Sequence, residues 1–342
     1  MPGLAFVDMF AGIDHTQITG RALGASEYQM YKLVASLGTA CFNTGSGPRT
    51  VDGVSYDNIE RASFEPGTVI LLMRSYPYTN RSLVQKLAGH DLILWVQDTP
   101  NDSLVDRSYT AIAAAKAEVL ANSRLRFVAN SQLCRKQLID YFGPEFDVGR
   151  VTVIPNVVYT DEFVKEPVSV DMNRLVYASA WIKGIEGVIA LYDYIFRNDP
   201  DFCLTLMNPG YDAMERYTGL LADMKRKYGS RVEVLGPRSR LEFSRVVAGS
   251  LCTMTARFSE TFGCIFAESL ELGTPVVADI CSGAVREYAG EEAIVDYGRP
   301  AQVLERLQSL RAVRPTVSMP AGYTAENVLE AWRSLLDKLR HE

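Results

Sequence analysis

Val69-Ile-Leu-Leu-Met73 and Leu92-Ile-Leu-Trp-Val96 are runs of five apolar residues with no polar position in either. A strand with one wet face alternates polar and apolar residues. A strand without any polar position needs cover on both faces. Short runs of this kind, separated by stretches of helical period, predict a parallel sheet with helices on both sides. The first half of the chain repeats the scheme. Strands are expected at Leu4–Met9, Ala40–Asn43, Arg126–Asn130 and Val151–Ile154, with helices at Ser26–Leu37, Tyr109–Asn122 and Ser131–Phe142. Gly38 and Gly143–Pro144 follow two of those helices, as helix-stopping residues should.

Over Val158–Asn173 the pattern breaks into charged, proline-containing sequence (TDEFVKEPVSVDMN), which reads as a linker. A second series then begins. Its expected strands are Leu175–Ala178, Cys203–Met207, Val232–Leu235, Leu251–Thr255 and Val276–Ile280. Its expected helices are Gly187–Phe196, Tyr211–Tyr228, Leu241–Ala248, Gly263–Leu272 and Ala301–Leu310, and an amphipathic helix covers Ala325–Arg340. A chain of 342 residues is too long for one ordinary core. The expected division is an α/β domain at 1–160, a second at 161–322, and a C-terminal helix at 323–342 that could pack back on the first. Ligands of such domains sit at the C-terminal ends of the strands, here expected in a cleft between the domains.

The net charge of −6 argues against a nucleic-acid partner, whose phosphates reward a basic surface. The six cysteines form no C-x-x-C pair, and none lies near His15, His90 or His341, so a zinc site is not expected. They read as buried free thiols of a reducing compartment. The N-terminus lacks the basic start and apolar centre of a signal peptide. Apolar runs fall far short of the ~20 residues that span a bilayer. A cytoplasmic location is the resulting expectation.

Chemistry concentrates in Ser259-Glu-Thr-Phe-Gly-Cys-Ile-Phe-Ala-Glu268. The stretch lies between a strand and a helix, and the helix is stopped by Gly273 and Pro275. Glu260 is thus placed at a strand's C-terminal end, just before a helix N-terminus. There the amides of Thr261, Phe262, Gly263 and Cys264 carry partial positive charge and favour an anion such as a phosphate. Gly263 lets the backbone approach it. An acid beside a phosphate is repelled, so Glu260 makes more sense as an acceptor for neutral hydroxyls. Glu268, eight residues on, lies at most ~12 Å further along a helix. A plain helix start with two incidental glutamates is the alternative reading of the spacing alone.

The full string resembles the E-x7-E region of retaining glycosyltransferases with the GT-B fold, the family 4 type: Glu260, Phe262, Gly263, Glu268, Gly273, Pro275, Val276 and Val277 match. The resemblance extends over nearly the whole chain. It implies two Rossmann-like α/β domains whose parallel sheets face each other across a cleft. Gly20–Glu27 looks like the family's glycine-rich loop, its usual glycine pair appearing as Gly24–Ala25. Leu175–Gly184 is similar to the strand and loop that neutralise the donor diphosphate. Lys183 matches there, but the family's arginine position reads Ala178 or Ser179. Arg238, after a strand that resembles the nucleobase-binding one, could supply the missing charge. Leu94–Pro100 sits where relatives carry a histidine or an acid. Here it reads Gln97–Asp98, and Asp98 could orient the sugar or take the acceptor's proton, or simply cap a turn.

What the resemblance implies is transfer, with retention, of a hexose-type sugar from a UDP- or GDP-sugar to a hydroxyl of a glycan, lipid or other acceptor. No cofactor and no metal are expected. Glu260 and Lys183, with Asp98, would be catalytic. Gly24, Ala25, Arg238, Thr261, Phe262, Gly263, Cys264 and Glu268 would join Glu260 and Lys183 in holding the donor. A non-catalytic sugar-nucleotide-binding protein and a nucleotide-sugar epimerase remain as alternatives. Peripheral membrane association has no support in the sequence, and the oligomeric state is open. Two decoys stand outside this scheme: Asp199-Pro-Asp201 spells a metal motif but falls in a proline turn, and Gly45-Ser-Gly47 is a bare G-x-G without a third glycine.

Overall fold

The computed structural model describes residues 3–9, 11–18, 25–45, 47–74, 80–98, 116–208, 214–255 and 258–341. The chain divides into two units. One holds the described residues of Met1–Arg21, Ala25–Val157 and Gly322–Glu342; the other holds Val158–Ala321.

The first unit runs β1 (Leu4–Val7), α1 (Ala25–Leu37), β2 (Ala40–Asn43), β3 (Arg49–Val51), β4 (Val54–Asn58), β5 (Val69–Met73), α2 (Arg81–Leu87), β6 (Asp91–Val96), α3 (Lys116–Ala121), β7 (Leu125–Ala129), α4 (Gln132–Phe142) and β8 (Val151–Val153). These strands form one sheet in the order β3-β4-β2-β1-β5-β6-β7-β8. Every pairing is parallel except β3 with β4. Chain order reverses between β1 and β5, so the topological switch point of this unit lies there. All five residues of β5 are buried, which is why the run has no polar position.

The second unit runs β9 (Asp171–Ala178), α5 (Ile185–Asn198), β10 (Cys203–Met207), α6 (Thr218–Tyr228), β11 (Val232–Leu235), α7 (Arg240–Ala248), β12 (Ser250–Met254), α8 (Cys264–Glu271), β13 (Val276–Asp279), α9 (Arg286–Ala289), β14 (Ile294–Val295) and α10 (Pro300–Ala312). Its sheet is parallel throughout, in the order β11-β10-β9-β12-β13-β14. That is the Rossmann order, with its switch point between β9 and β12. One core cluster includes Leu175, Tyr177, Leu204, Leu206 and Cys252, and Val176 and Met207, which alternate with them along β9 and β10, pack with Val247 in another.

The final helix α11 (Ala325–His341) belongs to the first unit. It buries Val328, Trp332, Leu336 and Leu339 on one stripe, and Trp332 meets Trp95 of β6 edge to face at 5.0 Å between ring centres. No helix among the described residues is long and apolar enough to cross a membrane.

The structure can be compared with the sequence expectations element by element. Strand β9 starts at Asp171, inside the expected linker, because Asp171 pairs with Ser250 before a bulge. The hairpin β3–β4 was not expected, although its Asp52-Gly53 turn, with φ of 48° and 82°, is a known hairpin signal. Of the stretch Tyr211–Tyr228, expected to be mostly helix, 211–213 lie outside the described residues, Met214–Tyr217 form a 3₁₀ turn and α6 begins at Thr218. The expected helix from Tyr109 lies partly outside the described residues, which resume with α3. The thiols also differ in part: Cys41, Cys134 and Cys252 are buried, but Cys281 is exposed.

Candidate active site at the switch point of the second unit

The loops that leave β9 and β12 flank the switch point, and each carries a charged side chain there. After β9 the chain makes one 3₁₀ turn, Trp181–Lys183. Trp181 is fully buried, edge-on to Tyr217, and the Tyr177 hydroxyl donates to the Ala180 carbonyl at 3.0 Å. With the turn pinned from below, Lys183 is held at the strand end. Its ammonium lies 2.8 Å from a Glu260 carboxylate oxygen and 4.8 Å from the centre of the Phe258 ring. Glu260 is only 9% exposed. The ion pair is what makes an ionised carboxylate tolerable at that burial.

Helix α8 begins directly after this loop. Gly263 is its N-cap, in the left-handed region with φ +78°, and a Cβ there would come within 3.0 Å of the Phe266 ring. Both facts require glycine. The helix ends in a Schellman motif: the Gly273 amide donates to Leu270 and the Thr274 amide to Ser269, at 3.0 and 2.8 Å. Ser269 also bonds Thr253 of β12 at 2.8 Å. The helix is therefore fixed at both ends and against the strand, which sets Glu268 one turn in from the N-terminus.

Glu268 has a partner that sequence reasoning missed. An Arg240 guanidinium nitrogen lies 2.8 Å from its carboxylate. Arg240 is the first residue of α7, set there by a capping box in which Ser239 and Glu242 exchange hydrogen bonds. A cation at a helix N-terminus opposes the helix dipole. Glu268 offsets that, and the guanidinium centre packs 4.9 Å from the Phe163 ring and 5.3 Å from the Phe243 ring. The signal was present as S-x-x-E at 239–242, which starts directly after Arg238 and contains Arg240. Arg238 itself is exposed and reaches neither glutamate.

Ala25 and Asp98 belong to the first unit. Ala25 opens α1, and Gly24 lies outside the described residues. Asp98 follows β6, and the turn it was expected to cap lies outside the described residues. Arg74, at the end of β5, donates Nε to it at 3.0 Å and donates Nη1 to Glu27 of α1 at 2.9 Å. Burial alone would lower the Arg74 guanidinium. The two carboxylates outweigh burial and raise it, so it stays charged. Arg74 adopts φ +64°, a strained choice for a side chain of its size, at this unit's own switch point. Gln97 turns the other way, exchanging two 2.9 Å hydrogen bonds with the Asn156 amide.

The decoys resolve locally. Asp199 is taken by Arg311 at 2.5 Å and Gln308 at 2.9 Å. The Gly45 amide donates to Asn43, while Ser46 lies outside the described residues. Among the described residues no group of three or more His, Cys, Asp or Glu is arranged to hold a metal.

No protein-family model matches the sequence, and no curated protein matches it. The likeness is one of structure. An α,α-trehalose 6-phosphate synthase from Burkholderia multivorans superposes with a TM-score of 0.70 at 12% identity, covering 99% of this chain and 98% of the other. A sucrose-phosphate synthase from Thermosynechococcus elongatus gives 0.70 at 15%, covering 99% of each. The Anabaena protein HepE, solved in complex with UDP-glucose, gives 0.70 at 14%, covering 99% of this chain and all of the other. With two parallel-sheet α/β units in succession and these neighbours over nearly the full chain, the fold is GT-B.

Proposed function

We propose that this chain is a retaining, metal-independent glycosyltransferase that moves a hexose-type sugar from a UDP- or GDP-sugar to a hydroxyl of a glycan, lipid or other acceptor. The observation that carries the reading is the pair of ion-paired glutamates at the Rossmann switch point, Glu260 with Lys183 and Glu268 with Arg240. A carboxylate can accept from two sugar hydroxyls at once, and two carboxylates on one helix start match a sugar and a ribose flanking a diphosphate. The UDP-glucose complex of the structural neighbour HepE supports a sugar nucleotide as ligand.

In this reading Glu268 holds the ribose. Glu260 holds hydroxyls of the donor sugar and supports positive charge at its anomeric carbon. As the bond from that carbon to the diphosphate breaks, charge grows on the leaving group. Lys183 and the amides at Phe262, Gly263 and Cys264 are fixed donors for it, and such preorganised donors are commonly the largest catalytic contribution. Asp98 receives the proton of the attacking hydroxyl.

The test is a thermal-shift screen against UDP-, GDP- and ADP-sugars, followed by mass spectrometry and anomeric NMR of products formed on an array of acceptors, with and without EDTA. A donor at 100 times its Kd adds about 2.7 kcal/mol, roughly 5–10 °C for a domain of this size. A screen in which no sugar nucleotide shifts the melt would sink the proposal. An inverted product would remove retention, and EDTA sensitivity would remove metal independence.

A further inference from the structure

Gly263 creates a problem that the fold must solve. The turn before α8 needs glycine, and glycine leaves the peptide planes on either side of it free to rotate. Yet the proposed function requires the amides of that turn to hold one direction.

The solution lies in the segment after β13. Tyr288, buried on α9, donates its hydroxyl to two successive carbonyls, Phe262 at 2.6 Å and Gly263 at 3.0 Å. A trans peptide is planar, and its N–H points opposite to its C=O. Holding the Phe262 carbonyl toward Tyr288 therefore aims the Gly263 N–H away from it. The Gly263 carbonyl accepts from Tyr288 and also from the Phe266 and Ala267 amides at 2.9 and 3.3 Å, so the first turn of α8 shares in aiming the Cys264 N–H. Two successive amides projecting from one turn form a concave donor pair suited to an anion.

The other end of the loop is fastened from the same segment. Ser282, fully buried, donates to the Phe258 carbonyl at 3.0 Å. Asp279, also fully buried, anchors the base by accepting from the Cys281 and Tyr297 amides at 2.9 and 2.8 Å.

We propose that Tyr288 is a positioning residue: its hydroxyl aims the Gly263 amide, and together with the first turn of α8 the Cys264 amide, at the diphosphate of the bound nucleotide. This rests on the sugar-nucleotide reading of the site. A purely structural Tyr288 would fill space against Phe262, whose ring centre is 5.3 Å away. Phenylalanine would do that equally well, so Tyr288→Phe separates the two roles.

UDP, GDP and ADP are titrated into the full-length protein by calorimetry, and the tightest is compared with its parent nucleoside in wild type and Tyr288→Phe. The expected result is about tenfold weaker binding of the nucleoside diphosphate, with nucleoside affinity unchanged and a melting temperature within a few degrees of wild type. Unchanged diphosphate affinity, or an equal loss for the nucleoside, overturns the role of Tyr288. A wild-type protein that binds none of the three diphosphates overturns the sugar-nucleotide reading itself, and this inference with it.

Discussion

Replacing Arg240 by alanine tests how Glu268 is held. The pair is 2.8 Å apart, with side-chain exposures of 24% for Arg240 and 11% for Glu268. Removing one partner of a fully buried pair costs about 3–5 kcal/mol, because the other charge stays desolvated and unpaired. A quarter of the arginine is wet, so water screens part of that, and about 2–3 kcal/mol is the expected loss. Glu268→Gln should cost less, about 1–2 kcal/mol, since the amide stays uncharged and can still accept from Arg240. The double variant should fall short of the sum by about 1–2 kcal/mol. Calorimetric melting of the four proteins reads this directly, at roughly 2–4 °C per kcal/mol. A second readout concerns function. If Glu268 binds a ribose, Arg240→Ala leaves it unanchored, and nucleoside affinity should drop about tenfold. A coupling below about 0.5 kcal/mol, together with unaltered nucleoside binding, would refute the argument that Arg240 holds Glu268.

Glu260→Ala should lower turnover at least about 100-fold with the fold intact; near-normal transfer by that variant removes Glu260 from the mechanism. Arg150→Met should destabilise the first unit by about 3 kcal/mol, read by urea denaturation, because this buried guanidinium donates to the carbonyls of Val119, Leu120, Asn122 and Leu125 around the end of α3. At Asp199, burial alone would raise the carboxyl, but hydrogen bonds from Arg311 and Gln308 outweigh it and hold it below the usual range. A depressed folded pKa means stability that is present above the unfolded value of about 3.9 and lost as pH falls through the folded one. The stability gap between wild type and Asp199→Asn should therefore be full at pH 7 and shrink below about pH 4; a constant gap refutes the ion pair's part. Nucleotide affinity should change less than about threefold between 50 and 500 mM salt, and a steep decline would show that net charge, rather than oriented amides, holds the diphosphate.

The strands were the most legible part of the sequence. Ala40–Asn43, Val69–Met73, Cys203–Met207 and Val232–Leu235 appear with the expected bounds, because an unbroken or alternating apolar run with a clear end has few other readings. Hairpin β3–β4 was not seen, since its strands are short and mostly polar at a sheet edge and only Asp52-Gly53 marks them. The loop from Glu260 to Glu268 was legible because its chemistry is local, with all its parts within nine consecutive residues. Its counter-charges were harder. Arg240 is 28 residues from Glu268, and Arg74 is 24 from Asp98 and 47 from Glu27. No periodicity links such positions; the sheet order brings them together, and one sequence does not show which arginine of several will arrive.

Ala178 and Ser179 leave the loop after β9 without an arginine, so in the proposed reading other groups must balance the diphosphate. Lys183 and Arg240 are both present, but each is already matched by a glutamate, so the four groups sum to no net charge. A diphosphate arriving at such a site gains little from net charge and must gain from direction. Partial positive charge at the start of α8 is available at any salt concentration, provided that the amides point at the ligand. Glycine at 263 opens the space; the Tyr288 hydroxyl holds the Phe262 carbonyl, and Tyr288 with the Phe266 and Ala267 amides holds the Gly263 carbonyl. The carboxylates gain from the same economy. Glu260 and Glu268 are each paired with a cation at low exposure, where an acceptor for hydroxyls is strongest because water competes least. In the proposed reading the site is thus coherent without the arginine: the cations pair with the acids, the acids take neutral hydroxyls, and the backbone takes the anion.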